Sequence, residues 1–218
     1  MSSNFLVRER EFLVTGGVVI AALLLVGLTN PSTNLNPVVQ SAIVSLAAFL
    51  VLPLLYCKMI LKRPWTELGF QRGSLFAGIG GSLIAISAGL VFLFGLMHFT
   101  PLFEGARLPV SVEKNFFVFL LYEVVLNGWI ALLLEVFFRG FVMLLWLRRL
   151  GFLSVFVQAA LFAGLVYETN SFSTQMIPLL LFSPLAGLIA YQSRSILASW
   201  AASWFFLFLV DALLLIVP

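Results

Sequence analysis

The residues best able to do chemistry in this chain are few, and all stand in apolar surroundings. Glu135 and Arg139 lie four apart in the run Leu134-Glu135-Val136-Phe137-Phe138-Arg139-Gly140. On a helix that spacing puts a carboxylate and a guanidinium on one face, where they can pair. Glu123 and Asn127 repeat the spacing nearer the N-terminus. At about 100° per residue, all four side chains fall within one broad face. Asp211 is a third carboxyl inside an apolar run. A rise of about 1.5 Å per residue sets Glu123 about 18 Å from Glu135 on an unbroken helix, too far for one acid–base pair. Two kinds of chemistry are open to such a set. Glu135 could activate water as a lone carboxylate, or it could serve with Arg139 as an ion pair that helps the helix pack. Glu123, Asn127 and Asp211 are candidate binding residues. Asp211 reads as an interfacial group, or as one that pairs with a partner chain.

The chain has one His, His98, and one Cys, Cys57. A zinc site of several Cys and His ligands within the chain is excluded, as are bis-His haem ligation and an internal disulfide. No metal site and no cofactor are expected. His98, just before Pro101 at the end of an apolar run, reads as a surface group.

The elements that position these residues are transmembrane helices. Of 218 residues, 62% are hydrophobic and 10% charged, and 23 are Phe; mean hydropathy is +1.13. A soluble domain carries about a quarter charged residues. A crossing helix needs about 20 mostly apolar residues. Seven candidate spans follow: Phe12 to Leu28, ended by Asn30-Pro31; Val38 to Leu61; Ser74 to Phe99; a long one from Phe116 to Leu147; two short ones, Phe152 to Tyr167 and Met176 to Tyr191; and Ile196 to Val217. The first lacks a small-x-small cleavage site and reads as an uncleaved span. The connecting segments leave no room for a soluble domain, and no internal repeats are evident. The expected fold is all-α: one polytopic bundle over residues 1–218, with about seven transmembrane helices.

The net charge of +3 does not point to nucleic acid; the basic residues are spread between apolar segments, as topology requires. Nine of them (Arg8, Arg10, Lys58, Lys62, Arg63, Arg72, Arg148, Arg149 and Arg194) fall on one side, and only Arg107 and Lys114 on the other. This bias places the N-terminus in the cytoplasm and the C-terminus outside a bacterial-type inner membrane. Ionisable groups inside a span cost about 2.5 to 3.5 kcal/mol each, so Glu123, Glu135, Arg139 and Asp211 are the functional candidates.

The run from Leu134 to Gly140 resembles the first motif of the CPBP family, the CAAX protease and bacteriocin-processing (Abi-type) intramembrane proteases. That motif has two adjacent Glu and ends in Phe-Arg-Gly. Other landmarks are similar in order and spacing over residues 61–210. Arg63-Pro64-Trp65-Thr66-Glu67-Leu68-Gly69-Phe70 resembles the link between the family's early helices. Leu161-Phe162-Ala163 resembles the start of its second motif, Phe-x-x-x-His. Ser193-Arg194-Ser195 resembles the lead into its third motif, His-x-x-x-Asn or Asp.

The departures fall on the family's chemistry. The first Glu of the pair is Leu134 here. The second motif's His falls at Val166, and the third motif's His and Asn or Asp fall near Ser203 and Leu207. The resemblance implies a carboxylate that activates water and His residues that stabilise the carbonyl oxygen. Val and Leu can do neither. The expectation is therefore a catalytically degenerate relative: a scaffold or binding subunit of a larger membrane complex, whose partners are other membrane subunits and lipids. The alternatives are an active protease built on Glu135 and a lipid- or pigment-binding subunit. If the alignment holds, Glu135 and Arg139 meet inside the bundle, near Val166 and Ser203.

Overall fold

The structure, a computed structural model, describes residues 2–29, 36–103, 108–169 and 176–216. The expected helix end at Asn30-Pro31, Arg107 and the final Val217 lie outside the described residues. The described chain is helical throughout, without strands. Helix α1 is Ser2–Gly27, α2 covers residues 37–60, α3 is Leu75–Phe99, α4 is Phe116–Leu150, α5 is Leu153–Glu168, α6 is Met176–Ser193 and α7 is Ile196–Ile216.

Six of the seven are long and apolar enough to cross a membrane, which makes the chain an integral membrane protein of all-α, polytopic build. The seventh, α5, has 16 residues. That is about 24 Å at 1.5 Å per residue, short of a 30 Å hydrocarbon core. It nevertheless runs the depth of the bundle. It starts beside the α4 terminus, where Ser154 N–H donates to the Gly151 carbonyl, and it ends with Glu168 against Gly27 at the far end of α1.

Ion pairs mark one end of the bundle. Arg63 bridges Glu11 at 2.6 Å and Glu67 at 3.2 Å. Arg148 lies 3.6 Å from Glu67, and Arg149 pairs with Glu9. Half-exposed pairs of this kind add little stability, but they show that the start of α1, the α2–α3 link and the end of α4 share one end. Backbone bonds stitch the α6–α7 turn to the same place. Ser74 N–H donates to the Ser193 carbonyl at 2.9 Å, and Ile196 N–H donates to the Gly69 carbonyl at 3.0 Å. The link ends its single 3₁₀ turn, Trp65–Leu68, at Gly69, whose φ of 85° is the left-handed conformation that glycine adopts without penalty.

Helix α4 is the central element. Nine consecutive residues, Glu135 to Met143, are buried. A helix apolar all round and buried all round has neighbours on every side. The face expected to look inward is therefore only part of what does. Around it pack Phe49 of α2, Phe162 and Val166 of α5, and Leu68 of the link. A second core joins α3, α6 and α7, with the rings of Phe182 and Phe206 stacked 4.4 Å apart. The outside of the bundle is apolar: Phe76, Ile84, Val91 and Phe117 are each at least 74% exposed. In water this would be a large aggregation surface, but in lipid it faces its own kind.

Helices α2 and α4 are not regular. Leu52 N–H bonds the Ala47 carbonyl, Leu61 N–H the Tyr56 carbonyl and Gly128 N–H the Glu123 carbonyl, each five residues back. Residues Glu135–Leu144 form a further wide-turned stretch. Such π turns insert a residue into the helix and recur at functional sites. Two of the four stretches fall at Glu123 and across Glu135–Leu144.

Candidate functional site

Glu135 and Arg139 sit on the buried stretch of α4, at 1% and 3% exposure. Arg139 Nε lies 3.6 Å from Glu135 Oε1. That is an ion pair without a hydrogen bond, and Nε has no hydrogen-bond partner. Both oxygens of Glu135 are met instead by α7. Ser199 Oγ donates to Oε2 at 2.5 Å and Ser203 Oγ to Oε1 at 2.8 Å. The guanidinium reaches the other way, with Nη2 donating to the Ser183 carbonyl at 3.2 Å. Gln158 Nε2 donates to that same carbonyl at 3.0 Å. The carbonyl stands one residue before Pro184, inside α6. The N–H that proline lacks would have served the Leu180 carbonyl, four residues back; at Ser183, side-chain donors from α4 and α5 converge on one α6 carbonyl and tie the three helices together.

Gly140, beside Arg139, has a plain steric reason. A Cβ there would sit 2.7 Å from the Leu68 carbonyl oxygen, closer than real contacts allow. The α2–α3 link thus rests directly on the glycine that follows the arginine.

The space at this site is small. A cavity of about 10 Å³ is bounded by Glu135, Arg139, Ser203, Leu134, Phe162 and Phe182, among others. That is room for about one water, not for a peptide. Nearby, a cavity of about 590 Å³ opens at the far end between α1, α2, α5 and α6. Leu134 and Phe162 line both, and Val166 lines the larger. Its deep wall is apolar, and Ser41, Ser45 and Glu168 stand among its polar residues.

Of the residues singled out from the sequence, Glu135, Arg139 and Ser203 come together, and Val166 is buried beside the same core. Glu123, Asn127 and Asp211 form a second cluster. Asn127 Nδ2 donates to Glu123 Oε1 and to Asp211 Oδ2, both at 3.0 Å. Asp211, partly exposed, is thus engaged by a residue on α4. The reason is the approach of α7 to α4, which two indoles also hold. Trp200 Nε1 donates to the Gly128 carbonyl and Trp204 Nε1 to the Glu123 carbonyl, each at 2.9 Å. His98 is exposed, with its ring 4.9 Å from that of Phe99. Among the described residues, no three His, Cys, Asp or Glu converge as metal ligands.

Ser199, Gln158 and Ser183 were not singled out by the sequence. For Ser199 a signal existed: Ser199-Trp200 and Ser203-Trp204 repeat four apart in an apolar helix, which puts two hydroxyls on one face. Removing either is expected to be costly. Ser203→Ala strips a donor from a buried carboxylate, and hydrogen bonds to charged groups contribute about 1.5 to 3 kcal/mol. Unfolding in mixed micelles should show a loss in that range. A change under about 0.5 kcal/mol, typical of surface sites, would mean that the hydroxyl does not serve the carboxylate.

No family model, curated protein or solved structure matches the chain. What fold and site define is a class: an all-helical polytopic membrane protein with a carboxylate–guanidinium pair enclosed by its central helix and closed by two serines.

Proposed function

We propose that this chain is a non-catalytic membrane subunit of CPBP-like build, which binds an apolar segment of another membrane protein. One observation carries the reading. Two of the positions where the resemblance would put catalytic groups, Leu134 and Val166, are apolar and line the 590 Å³ cavity next to Glu135. A cavity of that size and lining suits a ligand's apolar groups. Glu135 meanwhile has both oxygens engaged, and beside it lies space for a water alone. A general base needs its substrate within hydrogen-bond reach. The polar set thus supports a clamp that keeps α4, α6 and α7 in register beside a binding cavity. By the positive-inside bias, the ion-paired end of the bundle lies in the cytoplasm of a bacterial-type cell, with the cavity opening toward the outside.

The test is purification of the tagged chain from its own membrane in mild detergent. A stoichiometric membrane partner is expected, and Val166→Trp, which fills the cavity, should release it while helicity is kept. Hydrolysis of a membrane peptide that Glu135→Gln abolishes would overturn the reading. So would a chain that always purifies alone.

A further inference from the structure

The Glu123–Asn127–Asp211 cluster is separate from the Glu135 site and plays no part in the clamp. Glu123 lies at the wide turn of α4 and is fully buried, at 0% exposure. Asp211 comes toward it from α7, and one amide nitrogen, Asn127 Nδ2, lies 3.0 Å from an oxygen of each carboxyl. The Asn127 amide donates to one oxygen of each, which uses both of its hydrogens. Glu123 Oε2 is buried with no donor. The nearby indole of Trp204 is committed to the Glu123 carbonyl. None of the ion pairs among the described residues involves either carboxyl. Among the described residues, the other titratable group placed beside them is the Tyr122 hydroxyl, on α4 itself.

Two ionised carboxylates are acceptors only, and Asn127 has no third hydrogen, so a donor for Glu123 Oε2 within this cluster has to be a proton carried by one of the carboxyls. Like charges at that range in a poorly polarisable interior repel strongly, and carboxyl pairs elsewhere answer by sharing one proton. A metal ion is the other possible counter-charge. Hard cations take six or more oxygen ligands, and the described residues bring no third acidic, His or Cys ligand here.

We infer that Glu123 and Asp211 form a proton-binding site at membrane depth, one exchangeable proton held between their carboxyls and Asn127 fixing both. While the proton is in place, the far half of α7 is latched to α4. Its loss sets two negative charges face to face and loosens that contact. The site thus takes up a proton when α7 closes on α4 and gives it up when they part.

Infrared spectroscopy of the full chain in lipid nanodiscs, titrated with pH in light and heavy water, tests this. At neutral pH the wild type should show the carbonyl band of one protonated carboxyl per chain, shifted by deuterium and lost as pH rises. Glu123→Gln and Asp211→Asn should each abolish the band, whereas Glu135→Gln should leave it. No protonated band in the wild type at neutral pH overturns the inference. So does a band that survives both variants, or one that appears only when sodium is withdrawn, which would make this a cation site. If a variant loses its helicity, the wild-type titration alone decides.

Discussion

Glu135→Leu alone should destabilise the bundle by about 3 to 5 kcal/mol, the usual cost of leaving one member of a buried ion pair uncompensated. The geometry makes the loss severe. Arg139 is 3% exposed, and its other contact is a single carbonyl, at Ser183. No solvent can take over the charge. Arg139→Met alone should cost a similar amount for a further reason: it also removes one of two donors to the carbonyl before Pro184. The informative variant is the double substitution Glu135→Leu with Arg139→Met. Buried pairs replaced by apolar residues of similar volume are often neutral or stabilising, so the double variant should recover most of either loss. Ser199 already has a second acceptor in the Ile196 carbonyl at 3.2 Å, so that hydroxyl is not stranded. Reversible unfolding in mixed micelles gives all four corners of the cycle. Additive losses, with no recovery in the double variant, would show that the two residues act separately and not as a clamp.

Phe138→Ala is the second large effect. Phe138 has no exposed surface, and its ring lies 5.0 Å from Phe137, 5.2 Å from Phe162 and 6.0 Å from Phe49. Buried Phe to Ala changes cost about 3 to 5 kcal/mol in soluble cores. Part of that is transfer from water, which is missing when the alternative is lipid. The dispersion lost around an unfilled void remains. The expected loss is therefore near the lower end, about 3 kcal/mol. Phe76, 91% exposed on α3, is the control: Phe76→Ala should change stability by less than about 0.5 kcal/mol. Equal effects at the two positions would mean that Phe138 does not sit in a close-packed core.

Several parts of the site were legible in the sequence because they are costly. A carboxylate or guanidinium inside an apolar run needs a reason to be there, and Glu123, Asn127, Glu135, Arg139 and Asp211 stood out on that ground. The i, i+4 spacing of Glu135 and Arg139 also foretold their pairing, since it depends only on the helix. Ser199, Gln158 and Ser183 gave a weaker sign. Uncharged hydroxyls and amides are tolerated in membrane helices, where they bond to nearby backbone. Nothing in the spacing of Ser199 says that it serves a carboxylate more than 60 residues away.

The sequence by itself determined that this is a membrane protein, how many helical segments it has, which polar groups it carries to depth, and that one His cannot supply a two-histidine site. The tertiary structure decided the rest: that α4 is the centre, that Asp211 turns inward to Asn127, that α7 closes over Glu135, and that Gly140 gives way to the Leu68 carbonyl. The physical reason is the solvent. In water, burial leaves a mark in the pattern of apolar and polar residues. In lipid, a Phe facing the core and a Phe facing acyl chains are equally at home. Phe76 and Phe138 look alike in the sequence, and only the packing of one helix on another separates them.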